Sequence, residues 1–515
     1  MQLNLPKSET TRFLTLLGLL VAVSFFAGLG SAPLFDVDEG AFSEATREMM
    51  VSKNYLTTWL NGAPRFDKPI LIYWLQLLSV NLFGVNEFAF RLPSALAGTA
   101  WAASIFVVVR KVSGNRQAFL AAALMVLSLQ VNVIAKAAIA DALLNALLAI
   151  TMFALFRHFE TGSKRALYLA FAAAGFGMLT KGPIAVIIPV SVFFIFSLIE
   201  GELKKLVRAS LSPWGIIIFL CIALPWYLLE YREQGMAFIE GFFFKHNISR
   251  FNTSFEGHSG SLFYYLPVLI IGLMPFTGLL FTVLFNLKKL FAERENRFLL
   301  IWFGFVFIFF SLSGTKLPHY VIYGYTPLFI LMARALPLSR HPRLLALWPL
   351  MLLILLAFLP VLALTAMNYT DDLYLQTLFA EGITLTGTSH ILVIIASLLG
   401  ILAIEFLSRF SVADKLIATG VIFALIINIH LMPIAGKLLQ EPVKEAALMA
   451  RKAGYKIVMW EVYYPSFFVY SESFAERREP LPGEIALTTV KQLATLDTPA
   501  LLYSKRGIVL VKIKQ

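Results

Sequence analysis

Long apolar runs separated by short polar turns fill most of the chain. Runs long enough to cross a lipid bilayer as a helix recur about thirteen times before residue 434. They lie at about 13–30, 92–110, 117–135, 138–156, 166–180, 182–199, 213–230, 262–286, 298–313, 318–336, 345–367, 389–407 and 415–433. The pattern predicts an all-α polytopic membrane domain over residues 1–433. No small-residue cleavage site follows the first run, so we expect it to remain as an anchor.

Two parts of the chain depart from this pattern. The polar loop 31–91 contains two shorter helical candidates, 40–52 and 69–83; the first is amphipathic, and we expect the second to lie along the membrane surface. The tail 434–515 reads as a helix, a strand and a hairpin-like pair. We predict that the tail is a small α/β domain outside the cytoplasm.

The content and the distribution of charged residues are typical of a membrane protein. Hydrophobic residues make up 58% of the chain and charged residues 14%, while the formal net charge is +12. The basic residues concentrate in alternate loops, which predicts a cytoplasmic N-terminus and a periplasmic C-terminus. The positive charge is therefore a topology signal, and we expect no nucleic-acid partner. The single cysteine, Cys221, excludes a disulfide framework within the chain.

Four lysines break the topology rule, because they fall on the predicted outer face. They are Lys68, Lys136, Lys181 and Lys316. Any one of them could extend its ammonium group to the membrane surface. Four together favour a bound anion, and a lipid phosphate lies at that depth. Arg250, in the predicted long loop 231–261, could add a planar fork for phosphate oxygens.

Acidic residues complement this basic cluster. Asp38 follows the first apolar run, and either a helix cap or a general base suits its position. Asp141 opens a later run, where it could pair with Lys136 or serve a donor site. His246, His258 and His319 fit no metal-binding spacing, so surface or phosphate-binding roles are favoured. A tyrosine of the cluster at 320–325 could hydrogen-bond a phosphate.

The order of several motifs carries a family resemblance. The first loop reads DVDEGAFSEATREM and then NGAPRFDKPILIYWL; IADALLN, MLTKGPIA, HNISRF and KLPHYVIYGYTP follow. The chain resembles the C superfamily of glycosyltransferases that use polyprenyl-phosphate sugars, most closely bacterial lipid A aminoarabinose transferases. Protein O-mannosyltransferases are kin of these. The resemblance covers the chain to about residue 433.

The resemblance implies roles for individual residues. Asp38 matches the catalytic acid, and Asp141 matches a second acid near the donor. The residues implied at the donor phosphate, with Lys316 added from the lysine pattern, are Lys68, Lys181, Arg250, Tyr320 and Lys316. We expect supporting roles for Glu39, Arg65, Lys136 and His246. Asp67 matches a reported metal ligand that is usually Glu, so its shorter side chain leaves the metal requirement open.

The predicted function is transfer of a sugar from an undecaprenyl-phosphate carrier to a lipid A or other envelope acceptor at the periplasmic face of a bacterial inner membrane. Asp38 would act as general base, with inversion at the anomeric carbon, and no nucleotide-binding motif is present. One alternative is a protein O-glycosyltransferase. Another is a lipid-linked sugar flippase, although transporters place ionisable residues at mid-membrane and in repeated halves.

Overall fold

The computed structural model describes residues 7–252, 260–407, 409–496 and 499–514. Within them the protein is mostly helical, as the apolar runs predict. By length and composition, eight described helices could cross a membrane, or up to ten if two bent helix pairs each count as one span. These criteria do not reproduce the exact count of thirteen, which stays a prediction.

The first half of the chain forms ten helices and a short hairpin. They are α1 (Lys7–Val21), α2 (Asp38–Ser52), β1 (Trp59–Leu60), β2 (Ala63–Pro64), α3 (Leu71–Phe83), α4 (Glu87–Leu127), α5 (Leu129–Ile134), α6 (Asp141–Thr161), α7 (Lys164–Lys181), α8 (Ile184–Ile199), α9 (Leu203–Ser210) and α10 (Pro213–Gln234). The π-helical turn Ala22–Phe26 extends α1. Gly114, with a positive φ of 83°, divides α4 into two helices.

The second half of the membrane part is also helical. Its α-helices are α11 (Met236–Phe238), α12 (Arg250–Asn252), α13 (Tyr265–Gly272), α14 (Thr277–Phe285), α15 (Leu287–Ala292), α16 (Arg294–Leu312), α17 (Tyr325–Ala335), α18 (Leu347–Ala357), α19 (Leu359–Asn368), α20 (Leu373–Phe406), α21 (Val412–Leu425) and α22 (Met432–Ala435). Its π-helical segments are Ile239–Ser249, Ile426–Leu431 and Gly436–Gln440, and its 3-10 segments are Pro318–Gly324, Leu336–Leu338 and Pro342–Ala346.

Three predicted features of this half are wrong in detail. The predicted run 262–286 is two helices, α13 and α14, with an angle of 119° between them. The predicted long loop 231–261 is helical through most of its described residues. Residues 373–386, which lie in the loop between the predicted runs 345–367 and 389–407, are the first part of α20. Polar residues interrupt the apolar pattern in the two predicted loops, yet helical hydrogen bonding continues through them.

The first loop contains both predicted helices, as α2 and α3, joined through the β1–β2 hairpin. Asn61 and Gly62 form its turn with φ of 55° and 74°, which is the conformation that an Asn-Gly pair favours. Residues Glu39–Met49 of α2 are all buried, so this helix does not have the exposed polar face that an amphipathic pattern predicts. Two of its buried charges pair within the helix, because Glu44 forms a two-bond ion pair with Arg47 at 2.7 Å.

The tail contains the predicted helix and a five-stranded sheet, and the predicted hairpin is part of that sheet. Its elements are α23 (Glu441–Ala453), β3 (Ile457–Met459), α24 (Pro465–Ser471), β4 (Glu476–Arg477), β5 (Ile485–Thr489), α25 (Val490–Leu493), β6 (Ala500–Lys505) and β7 (Ile508–Lys512). The strand order is β4-β3-β5-β7-β6. Strand β3 runs parallel to both neighbours, whereas the β5–β7 and β6–β7 pairs are antiparallel. A hydrophobic cluster lies between this sheet and its helices.

Candidate active site

Charged residues of the first loop, Arg65 and Lys68, cluster around Asp67. Its carboxylate oxygens lie 2.7 Å from Lys68 Nζ, 3.0 Å from the Arg65 guanidinium and 3.1 Å from His246 Nδ1. Burial alone would raise the pKa of Asp67, but Lys68, His246, Arg65 and Arg250 outweigh it and hold the pKa well below its usual range. Burial lowers the pKa of Lys68 to about 8, although Asp67 opposes this shift.

A second ion pair lies at the start of α6. Lys181 Nζ donates to Asp141 Oδ1 at 2.7 Å and lies 2.6 Å from the Tyr323 hydroxyl, which itself donates to Asp141 Oδ1 at 2.6 Å. His319 Nε2 lies 3.9 Å from the same carboxylate oxygen. Asp141 is the first residue of α6, where exposed backbone N–H groups favour a negative charge. Asp141 therefore holds Lys181 in place, and the alternative pairing of Asp141 with Lys136 is wrong.

The turn after Lys181 explains why glycine and proline follow it. Gly182 has a φ of 77°, which a residue with a Cβ atom adopts only with strain. A Cβ atom there would also lie 2.5 Å from the Phe242 ring. Pro183 then occupies the cap position of α8. This turn ends α7 at Lys181 and begins the apolar helix α8 beside it.

Lys68 and Lys181 open into one cavity of about 470 Å³. Arg250, His246 and Tyr320 also line it. Its remaining wall is mainly apolar and comes from α8, the π-helical segment Ile239–Ser249, α12 and the end of α16; it includes Ile184, Ile187, Ile248, Phe251, Phe309 and Phe310. The cavity thus joins a cationic end to a hydrophobic wall, as an amphiphile with an anionic head requires.

Asp38 does not line this cavity. Its side chain is exposed, and within the described parts of the chain it forms no hydrogen bond or ion pair. Its charge nevertheless acts on Arg65 and on His319, and the latter also interacts with Lys68, Lys181 and Asp141. The cap of α2 is Val37, with no side-chain cap hydrogen bond. The capping alternative for Asp38 is therefore wrong, and its carboxylate is available for other contacts.

Three predicted residues have contacts elsewhere. Lys136 contacts Asn428 and donates to the Ala27 carbonyl at 3.2 Å. Glu39 forms a buried pair with Arg91 at 2.8 Å, and both line a separate cavity of about 240 Å³ together with Lys136. Lys316 Nζ donates to the Ser313 carbonyl at 2.6 Å and does not line the larger cavity. The prediction that four lysines surround one anion is wrong for Lys136, which lines the separate cavity, whereas the role of Lys316 stays a prediction.

The surroundings of Asp67 do not suit a divalent metal. Its oxygens face two guanidinium groups, an ammonium group and an imidazole, whereas metal sites gather carboxylates, imidazoles or thiolates. Among the residues that the structure describes, no group of three such ligands comes together. Asp67 is instead the counter-ion that gathers these cations. His258 lies outside the described residues.

The sequence pattern indicated Arg65, but it missed the neighbours Tyr73 and Phe42 that hold Arg65 and the apolar residues that line the cavity. Arg65 donates to the Tyr73 hydroxyl at 3.0 Å and lies 4.9 Å from the centroid of the Phe42 ring, so α2 and α3 hold it in position. Ile184 and Ile187 appear in the sequence only as members of an apolar run. Their position directly after the TKGP motif could have indicated that they line the site, because residues that follow a turn lie close to the side chains of that turn.

The fold of this protein, with its many apolar helices, is shared with solved structures. The chain superimposes on the crystal structure of ArnT from Cupriavidus metallidurans bound to undecaprenyl phosphate with a TM-score of 0.81 and 20% identity, and the match covers 98% of this chain and 97% of that one. The family model described as dolichyl-phosphate-mannose-protein mannosyltransferase matches residues 67–228.

Curated relatives confirm the resemblance that the motifs indicate. One is undecaprenyl phosphate-alpha-4-amino-4-deoxy-L-arabinose arabinosyl transferase 2 of Proteus mirabilis, which is 30% identical over 328 residues, or 62% of this chain and 58% of the relative. Another is undecaprenyl phosphate-alpha-4-amino-4-deoxy-L-arabinose arabinosyl transferase of Aeromonas hydrophila. It is 33% identical over 315 residues, or 59% of this chain and 56% of the relative. The chain spans less than two thirds of the length of these relatives.

Proposed function

We propose that this chain is an integral-membrane glycosyltransferase that moves a sugar from an undecaprenyl-phosphate carrier to an envelope acceptor. One observation carries the proposal. Lys68, Lys181 and Arg250 line one cavity together with Asp67, and most of the remaining lining is apolar. Such a cavity suits a prenyl phosphate sugar, because the cations bind the phosphate while the isoprenoid chain follows the apolar wall and the lipid beyond it.

The cations act on the leaving group. Transfer breaks the bond between the anomeric carbon and the phosphate oxygen, and the electron pair of that bond remains on the departing lipid phosphate. Lys68, Lys181 and Arg250 stabilise this growing charge, and buried cations fixed beforehand do so more strongly than water. Tyr320, which also lines the cavity, adds a hydroxyl donor.

Asp38 acts on the acceptor. As the acceptor oxygen bonds to the anomeric carbon, its hydroxyl proton passes to the Asp38 carboxylate, which is the role of a general base. The exposure of Asp38 and its lack of a hydrogen bond to described residues suit this role. Attack from the face opposite to the phosphate inverts the anomeric configuration. Asp141 serves indirectly, by holding Lys181.

We place the reaction at the periplasmic face of a bacterial inner membrane. In this arrangement residues 1–433 form the membrane domain with about thirteen spans and a cytoplasmic N-terminus, while residues 434–515 form a periplasmic α/β domain. The basic residues of alternate loops support this orientation. The names of the relatives support an acceptor of the lipid A type, because those relatives are arabinosyl transferases with an undecaprenyl-phosphate donor.

The decisive test is Asp38→Asn in the purified full-length protein, assayed with an undecaprenyl-phosphate sugar and extracted envelope glycolipids. We expect transfer to fall by at least about a hundredfold, at the lower end of what a general base contributes, with donor binding retained. Asp371→Asn, which changes an exposed acid outside the site, is the matched control. Unchanged transfer in Asp38→Asn would refute the assignment. Loss of transfer with intact donor binding would also exclude a flippase, whose transport path does not need this base.

A protein acceptor is the second candidate, and the family-model match over residues 67–228 favours it. Mass spectrometry of glycolipids, polysaccharides and membrane proteins from cells with and without the gene separates the two. A sugar missing from a glycolipid supports the first proposal. A sugar missing only from a protein supports the second.

A further inference from the structure

A second basic recess lies at the end of the helical bundle remote from Asp38. Four elements end or turn there: α1 begins, α4 bends at Gly114, the 3-10 turn Leu336–Leu338 follows α17, and α21 begins. Together they line a cavity of about 670 Å³. The first part of α4, residues 87–113, separates this recess from the first loop by about 40 Å at the usual helical rise.

Two arginines provide the polar side of this recess. Arg116 donates to the Ser411 hydroxyl at 3.1 Å, and Arg12 forms no hydrogen bond or ion pair within the described ranges of the chain. Among the described residues that line the cavity, Asp414 is the one acidic residue, and its Oδ2 accepts from the Ser411 hydroxyl at 2.6 Å in the cap of α21. The recess therefore carries a net positive charge.

The other side of the recess is apolar. Phe13 and Leu16 of α1, Phe119 and Leu120 of α4, and Ile417 of α21 line it. Only 22% of the membrane-spanning window of α1 and its π-helical extension is buried in the protein. A ligand bound at the arginines can therefore extend along α1 into the lipid.

We propose that this recess binds an anionic glycerophospholipid, with its phosphodiester at Arg12 and Arg116 and an acyl chain along α1. Guanidinium groups match phosphate oxygens in geometry as well as charge. Basic pockets between membrane helices are known to select anionic headgroups. A soluble phosphate would leave the apolar wall without a contact. The bound lipid would link α1, α4 and α21, and its binding does not depend on the proposed transfer reaction.

Native mass spectrometry of the delipidated full-length protein tests this proposal. Phosphatidylglycerol and phosphatidylcholine with identical acyl chains are titrated into the wild type, Arg12→Gln, and Arg12→Gln/Arg116→Gln. The matched control is Lys204→Gln/Arg208→Gln, which removes two exposed basic groups of α9 outside the recess. We expect the wild type and the control to prefer phosphatidylglycerol, and the double variant to bind it roughly tenfold more weakly.

Three results would overturn the proposal. One is equal binding of the two lipids by the wild type. Another is unchanged phosphatidylglycerol binding in the double variant. The third is displacement of the lipid by millimolar glycerophosphoglycerol, which would make the recess a site for a soluble anion. Arg12→Gln keeps the test interpretable if the double variant unfolds, because Arg12 has no described hydrogen-bond partner that folding could depend on. This single variant must also lose part of the lipid preference, and retention of the full preference would refute the proposal.

Discussion

Ser466 of the tail binds Asp36, two residues before the proposed base Asp38. The Ser466 backbone N–H donates to Asp36 Oδ1 at 2.8 Å, and its hydroxyl donates to Asp36 Oδ2. A Cβ atom at Gly40 would lie 2.4 Å from the Ser466 nitrogen, so the tail packs directly on the first turn of α2. Tyr470 strengthens this junction, because its hydroxyl accepts from the Leu34 N–H at 2.8 Å.

Ser466→Ala should slow transfer while leaving donor binding unchanged. The substitution removes a hydroxyl from a largely buried carboxylate, which typically costs about 1–3 kcal/mol, and it loosens the turn that carries Asp38. Steady-state kinetics should show a lower kcat with an unchanged KM for the donor. Ser466→Thr should restore activity, and Ser473→Ala, a nearby change outside the junction, should have no effect. A rise in donor KM alone would contradict this role.

Asp36 should make stability depend on pH. Burial raises the pKa of Asp36 to about 7, although its hydrogen bonds from Ser466 oppose this shift. A carboxyl group with a raised pKa binds its proton more tightly in the folded state. The folded state therefore loses stability as the pH rises from about 4 to about 7. Thermal unfolding of the detergent-solubilised protein should show this loss, and Asp36→Asn should reduce its slope. An identical slope in both proteins would be evidence against the shift.

Lys181→Met should weaken donor binding by at least about tenfold, since loss of one charge-assisted contact to phosphate costs about 1.5–3 kcal/mol. The same change leaves Asp141 buried without its cation, so some loss of stability should accompany it. Lys164→Met, at the other end of α7, is the matched control because it removes an exposed lysine outside the cavity. Equal donor affinity in both variants would remove Lys181 from the phosphate site.

Donor affinity should fall as the pH rises above about 8. Burial lowers the pKa of Lys68 to about 8, so its ammonium charge is present below this pH and is lost above it. A phosphodiester donor does not titrate in this range, so the change reports the protein. Lys68→Arg should keep its charge and move the decline to higher pH. Binding of a non-hydrolysable donor analogue between pH 6 and 10 measures this, and a flat wild-type profile would contradict it.

The sequence indicates residues of short local motifs better than it indicates the distant residues that contact them. The predicted grouping of Lys68 with Lys181 agrees with the cavity that they share, and each belongs to a short motif whose local turn is visible in the residues, whereas the role of Asp38 stays a prediction. The grouping failed for Lys136 because its partner, Asn428, is 292 residues away. The contact between Ser466 and Asp36 spans 430 residues, and neither residue has a local signal. Periodicity indicates which face of a helix is apolar, but it does not indicate which distant polar group lies opposite.

Chelation should leave transfer unchanged. Asp67 accepts from Lys68 and Arg65 and pairs with His246, so a divalent cation would have to displace groups that already neutralise it. The low pKa of Asp67 has the same cause, since these cations outweigh the effect of burial. We therefore expect equal rates with EDTA, with Mg²⁺ and with Zn²⁺. Asp67→Asn should instead lower stability and donor affinity together, because it leaves Lys68 and Arg65 buried without their counter-ion. A rate that falls with EDTA and returns with added metal would show that the cations rearrange to admit a metal ion.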